Sequence, residues 1–412
     1  MVHHAHGSRI LLVAVSILAT VAGCGGLGKP HGDAAHLDGK ASDLAPLDHD
    51  SLPAPHDGAI HLDTSAVPPD AGSDAESVPL DADGAEASAG IDAEVIPPKT
   101  DAGVAPEAPA PPPATIVVLP DTQYYAASYP NVFTMQTNWI LEQRPSIAAV
   151  LHVGDVVDGD TATQWTVANS AMRLLDNHVP YFLVPGNHDT DGNRKTMIDN
   201  YFGPASMPWV TGTMTAGQIE NNYALVDIGP QKWLILGLEF GPRDSVIAWA
   251  NTVLKDPRFS QYPVILVTHA YLYSDGTRYD INVGGTDSST SNFQYWSPWS
   301  YRYTAADGIN DGEAMWQKLV LPNSQIRLVF CGHQTGWARL SSTRPDGSVV
   351  HQMLSDYQWY RTDQSDYYGG GGYLRVVQFD FGKKKFNVRT YSPYLDQYIT
   401  DDANQFSLTM QP

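Results

Sequence analysis

Five short polar clusters carry residue types that do metal and proton chemistry, and each follows an apolar run. They are Asp121-Thr122-Gln123, Gly154-Asp155-Val156-Val157-Asp158, Gly186-Asn187-His188-Asp189, Thr268-His269 and Gly332-His333-Gln334-Thr335-Gly336. Carboxylate, amide oxygen and imidazole are ligands for a divalent cation. With no thiolate among them, the set suits Zn, Mn or Fe rather than a soft metal or a cysteine-type structural zinc. Six histidines follow residue 115, at 152, 178, 188, 269, 333 and 351, and three of them fall in these clusters. A single such histidine reads as a hydrogen-bonded structural residue; the set, in this order, reads as a metal centre. Glycine beside the carboxylates and imidazoles permits tight turns and close backbone approach. Rival chemistries lack their motifs. Gly-x-Ser-x-Gly is absent, which leaves a serine hydrolase without support. Gly369–Gly372 lacks the Lys-Ser/Thr of a P-loop and reads as a loop.

Apolar periodicity supplies the elements that must position these clusters. Short apolar runs at 115–119, 147–153, 179–184, 223–226, 233–238, 264–268 and 326–331 read as buried strands. Helical spacing covers 131–143 and 164–175, the latter with Trp165, Ala168, Met172 and Leu175 on one stripe. Later runs at 349–354, 373–379 and 386–391 are strand-like. The early part alternates β and α and the late part is strand-rich, which predicts a layered α/β domain with helices covering mixed sheets. The clusters then fall at strand ends, where open α/β sheets bind ligands. Residues 270–311 hold Tyr, Ser, Asp, Gly and Trp without periodicity. A loop of that length inside a compact domain reads as a lid or substrate-binding wall, or as a surface insertion.

The constellation resembles the calcineurin-like metallophosphoesterases in its order of D-x-[H/Q], G-D-x-x-D, G-N-H-D, a lone His and G-H-x-H. The motifs span residues 115 to about 336, and Asp356-Tyr357-Gln358 and Thr390-Tyr391-Ser392-Pro393 look like features of secreted members. The resemblance implies an α/β fold, a four-layer α-β-β-α sandwich of two mixed sheets with a dinuclear metal site at one edge. It further implies that Asp155 bridges two cations, that Asn187, His269 and His333 complete one site, and that Asp121 and Gln123 belong to the other. His188 is then the proton donor to the leaving oxygen, oriented by Asp189. Such a centre activates water near neutral pH and offsets charge on phosphoryl oxygens, while an imidazole protonates the departing alkoxide. Two positions depart from the pattern. Gln123 replaces the commoner His, and Thr335 stands where the second His of G-H-x-H belongs. The first site is therefore expected to hold its ion, Mn, Zn or Fe, more weakly than the second.

Composition sets the surroundings. The chain has 412 residues and a formal charge of −21, of which residues 25–114 carry −14 and residues 115–412 carry −8. Every aromatic residue lies after Thr115. Residues 25–114, rich in Ala, Asp and Pro, cannot offset the entropy of folding and read as an extended, disordered tether. Residues 1–24 have a basic start, an apolar stretch and Val21-Ala22-Gly23-Cys24. This is the order of a secretory leader ending in a lipobox, with Cys24 the lipidation site. Export to a bacterial outer membrane, held there through the lipid, is the expectation. The acidic balance argues against stable nucleic-acid binding. Tyr124, Arg243, Tyr271, Asp356 and Tyr357 are candidates to contact substrate. The favoured reading is hydrolysis of a phosphate mono- or diester. A metal-dependent binding lipoprotein without turnover is the alternative, suggested by Thr335, and a secreted nuclease is the third.

Overall fold

The computed structural model describes residues 114–411 apart from 286–287, 302, 304–306 and 361–368. The leader with Cys24 and the tether up to residue 113 lie outside the described residues. The chain begins as a β-α-β series: β1 (Thr115–Leu119), α1 (Gln123–Ala127), α2 (Pro130–Gln143), β2 (Ile147–His152), α3 (Ala162–Met172) and β3 (Tyr181–Leu183). Then come α4 (Ile198–Phe202), β4 (Gly212–Thr213), β5 (Asn222–Ile228), β6 (Gln231–Leu238), α5 (Asp244–Lys255), β7 (Val264–Thr268) and β8 (Ile326–Cys331). The chain closes with β9 (Gly336–Thr343), β10 (Val349–Asp356), β11 (Leu374–Asp380), β12 (Lys385–Ser392), β13 (Gln397–Ile399) and β14 (Phe406–Thr409).

Two mixed seven-stranded sheets result. One has the order β13-β12-β11-β1-β2-β3 with β14 also on β12; the other runs β4-β5-β6-β7-β8-β10-β9. Side chains on a strand alternate between faces, and here the alternation separates three cores. Ile116 and Val118 of β1 point between the sheets, where they join Trp233, Ile235, Ile265, Val267, Phe330 and Phe379. Val117 and Leu119 face the opposite way, against Phe133 and Ile140 of α2 and Trp165 of α3. On the far side, Leu234, Leu236 and Leu266 pack on Val246, Ala250 and Leu254 of α5. Helix, sheet, sheet and helix form the four layers expected.

Local signals agree with these elements. Pro130 occupies the first turn of α2, where its missing N–H costs nothing. Thr161 caps α3 by accepting from Gln164 N. The runs at β1, β2, β7 and β8 are apolar apart from Thr115, His152, Thr268 and Arg327 because both faces are largely buried.

Strand direction places the site. Within one sheet β1, β2 and β3 are parallel; within the other β6, β7, β8 and β10 are parallel. Their carboxyl ends carry Asp121, Asp155, Asn187, Phe240, His269, His333 and Asp356. All five polar clusters of the sequence therefore leave parallel strands at their carboxyl ends.

Candidate metal centre

The centre is built from loops that hold one another. Asp155 and His333 both adopt left-handed backbone, with φ of 48° and 73°, a conformation that non-glycine residues reach only under local constraint. Close approach explains two of the glycines. A Cβ on Gly186 would collide with Asp155 Oδ1, and one on Gly332 would collide with Asp121 Oδ1.

Asp155, His269 and His333 present ligand atoms that all lie within 4.8 Å of one another. His269 Nδ1 donates to Val153 O at 2.9 Å. In the neutral ring this leaves the Nε2 lone pair turned toward Asp155 Oδ2, 3.1 Å away. Burial opposes charging of His269, yet Asp155 raises its pKa overall. The pair thus calls for a positive charge between them, as a proton or as a cation. His333 Nε2 donates to Trp296 O at 2.6 Å, so Nδ1 is its bare nitrogen. Burial, then His269, lowers the His333 pKa to about 3, which keeps it a neutral donor.

The remaining predicted ligands show the same unfinished bonding. Asp121 Oδ1, Gln123 Oε1 and Asn187 Oδ1 are buried with no hydrogen-bond partner. Each is the atom that would bind a cation, and orphaned buried oxygens are costly when left so. The other atoms of these groups are engaged: Asp121 Oδ2 accepts from His333 N at 2.9 Å, and Gln123 Nε2 donates to Asp158 Oδ1 at 3.3 Å. The donor set fits a divalent cation. Burial, then Asp356 and Asp155, pushes the Asp121 carboxyl well above its usual range. Burial and Asp155 push Asp189 up to about 7. Asp155 goes the other way: burial would raise it, but His269 and His188 outweigh that and hold it low.

His188 sits at the rim. Its Nδ1 contacts Asp158 O at 2.8 Å, and its backbone N donates to Asp155 Oδ1 at 2.9 Å. Burial works against its charged form, while Asp155 and Asp158 raise its pKa overall. The orienting role expected of Asp189 thus belongs to the Asp158 carbonyl. Asp189 is fully buried and spends both oxygens on backbone: Oδ2 accepts from Gly186 N (2.8 Å) and Val156 N (3.1 Å), Oδ1 from Val157 N (2.9 Å). It ties the loop after β2 to the loop after β3. His152, between them, accepts from Gly154 N and pairs with Thr122 Oγ1.

Three candidate substrate contacts are engaged by other parts of the protein. Tyr271 is buried in the core between α5 and its sheet. Tyr357 is buried, its hydroxyl bonded to Arg375 Nε, Thr390 Oγ1 and Asn404 Oδ1. Arg243 is committed to Glu239 through Nε and Nη2 at 2.8 and 2.9 Å, at the wall of a polar cavity of about 320 Å³. Tyr124 stays at the centre: burial, then Asp158, Asp356 and Asp155, raises its pKa to about 12. Asp356 is buried at the end of β10.

Residues not singled out by sequence complete the surroundings. Phe240, at the end of β6, lies 5.7 Å from His269 and 5.1 Å from His333 between ring centroids. Tyr301 and Tyr279 stand 5.7 and 5.9 Å from His333. The described part of 270–311 thus packs Tyr279 and Tyr301 against His333.

A family model described as calcineurin-like phosphoesterase matches residues 114–335. The uncharacterized protein YvnB of Bacillus subtilis is 33% identical over 319 residues, 72% of this chain and 22% of that protein. The probable glycerophosphodiester phosphodiesterase GpdQ of Arcobacter nitrofigilis is 33% identical over 58 residues, 14% of this chain and 20% of that protein. The chain spans about a fifth of the length of these curated relatives. The purple acid phosphatase PPD1 of yellow lupin seeds superposes with a TM-score of 0.42 at 13% identity, covering 72% of this chain and 53% of that one.

Proposed function

The chain belongs to the calcineurin-like phosphoesterase family, and from that premise we propose that it hydrolyses phosphate mono- or diesters with a divalent-metal centre. Asp155, Asn187, His269 and His333 would hold one cation, and Asp121, Gln123 and the shared Asp155 the other. Cations held there supply water activation near neutral pH and compensate charge on phosphoryl oxygens. The chain's own part is positional. Backbone N–H groups of His188 and His333 fix Asp155 and Asp121. The Asp158 carbonyl fixes His188 through Nδ1, so that Nε2 delivers the proton to the departing oxygen. Phe240 and Tyr301 pack their rings against His333.

The observation that carries this reading is the convergence of buried donor atoms from three strand ends: Asp121 Oδ1, Gln123 Oε1 and Asn187 Oδ1, which have no hydrogen-bond partner, and His269 Nε2, which faces Asp155. Following the sequence, we propose that the reaction runs outside the cytoplasm, with the chain lipid-anchored through Cys24.

The test is hydrolysis of paired chromogenic mono- and diester phosphates by the full chain with Mn²⁺, beside His188→Ala. Metal-dependent turnover that falls about 10²- to 10⁴-fold in the variant supports the proposal. A metal-loaded, folded chain without turnover refutes it and favours a binding protein.

A further inference from the structure

The parallel pairing of β8 and β10 puts one more carboxylate at the centre. Leu354 pairs with Cys331, so two residues further along each chain bring Asp356 and His333 off neighbouring strand ends. On its other side Asp356 pairs with Gly336, the residue after Thr335. Asp356 is 0% exposed. Its Oδ1 accepts from Gln358 N at 2.9 Å, while Oδ2 is buried with no hydrogen-bond partner.

That division of labour recurs at the centre. Asp121 gives one oxygen to His333 N and leaves the other without a hydrogen-bond partner; Asp155 gives one to His188 N and turns the other toward His269. Asp189, which spends both oxygens on backbone, has none left for a cation. By this criterion Asp356 groups with Asp121 and Asp155. Gln358 links the two positions: its N–H donates to Asp356 Oδ1, and its Nε2 donates to the Thr335 hydroxyl at 3.5 Å. The short threonine therefore occupies the position where the G-H-x-H pattern has a second imidazole, and a neighbouring strand presents a carboxylate beside it.

We propose that Asp356 is a ligand of the first metal site, supplying the donor that Thr335 does not. This rests on the metal centre of the proposed function. Its consequence is chemical. The first site becomes all-oxygen, from Asp121, Gln123, Asp155 and Asp356, whereas the second has two imidazole nitrogens. Hard cations such as Mn²⁺ favour the former, and Zn²⁺ or Fe favour the latter.

The test counts ions in the full chain stripped of metal. One equivalent of Zn²⁺ is added to fill the nitrogen-rich site, then Mn²⁺ is titrated and read by the loss of its free electron-paramagnetic signal. The expected result is one Mn²⁺ bound by the native chain and an affinity weakened on the order of 100-fold or more in Asp356→Asn, since even residues behind the ligands change affinity 10–100-fold. Thr335→His combined with Asp356→Asn should restore an ion and, by adding nitrogen, shift preference toward Zn²⁺. That double variant also decides the matter if Asp356→Asn alone fails to fold. Undiminished Mn²⁺ binding in Asp356→Asn, or no Mn²⁺ bound by the native chain, overturns the proposal. The failure of the proposed hydrolysis is separate: it would show as two ions bound and no ester turned over.

Discussion

Asp189→Ala separates two accounts of the residue beside His188. If Asp189 orients the imidazole, its loss should slow proton transfer and spare the fold. The geometry assigns it to three backbone N–H groups instead, at 2.8, 2.9 and 3.1 Å. A buried donor left without its partner costs about 1–3 kcal/mol, a gross loss of about 3–9 kcal/mol for three. Removing a desolvated carboxylate returns part of this, so a net loss of about 3 kcal/mol is expected. With about 2.1 cal/mol/K per residue over roughly 300 residues, that lowers the melting temperature by about 5 °C. Asp189→Asn should lose about half as much. Its oxygen can keep Gly186 and Val156, while its NH₂ confronts Val157 N. Both variants loosen the loops that carry Asp155 and Asn187, so Mn²⁺ affinity should fall about 10- to 100-fold. Thermal unfolding followed by tryptophan fluorescence, with calorimetric Mn²⁺ titration and hydrolysis pH profiles, reads all three. Unchanged melting and metal affinity, with kcat reduced and the pH profile shifted, would refute the clamp and return Asp189 to the role of orienting His188.

The other expectations are shorter. Gly332→Ala should displace Asp121 and cut hydrolysis on the order of 100-fold, since small misplacements at a reacting centre cost that much. Gly192→Ala, where a Cβ meets nothing within 4 Å, is the control. Glu220, at the wall of the polar cavity, has its pKa raised from 4.5 to about 7, by burial first and then by Asp199 and Glu239. A carboxyl raised in the folded state adds stability that is fully present below its unfolded pKa and lost as pH rises through about 7. Glu220→Gln should therefore gain in melting temperature relative to the native chain between pH 5 and pH 8; a constant difference would refute this. Cys24→Ala should move the full chain from the membrane to the soluble fraction, and retention in membranes would count against the lipid anchor.

How legible these features were depended on which atoms do the work. β1, β2, β7 and β8 announce themselves because strands buried on both faces read as nearly continuous apolar runs. β9 was invisible: its exposed and half-exposed residues alternate along a polar edge. The candidate ligands, which would coordinate by side chain, stood out by type. Asp158 O and Trp296 O, which hold His188 and His333, are backbone atoms and leave no signature. Proximity in sequence misled at Tyr357. It follows Asp356 on an extended segment, so its side chain points to the opposite face, onto Arg375 and Thr390. Tyr271 follows His269 after β7 has ended, and the turn sends its ring into the core. Asp356 could be placed only by topology, because nothing in the sequence says that β10 runs parallel to β8.

The strain at the centre and the grip on it come from the same residues. Left-handed backbone at Asp155 and His333 costs on the order of 1–3 kcal/mol each, and it persists only where surroundings enforce it. Asp189 holds Val156 and Val157, the two residues directly after Asp155. Asp121 holds the backbone N–H of His333, and Thr122 N donates to the Asp155 carbonyl. Asp121 and Asp155 thereby each use one oxygen to pin a loop that carries another donor. Removing one ligand therefore unfastens a second, and single substitutions here should be strongly non-additive. The same coupling fixes where Asp121 and Asp155 sit, through backbone N–H groups of the loops that carry the other donors.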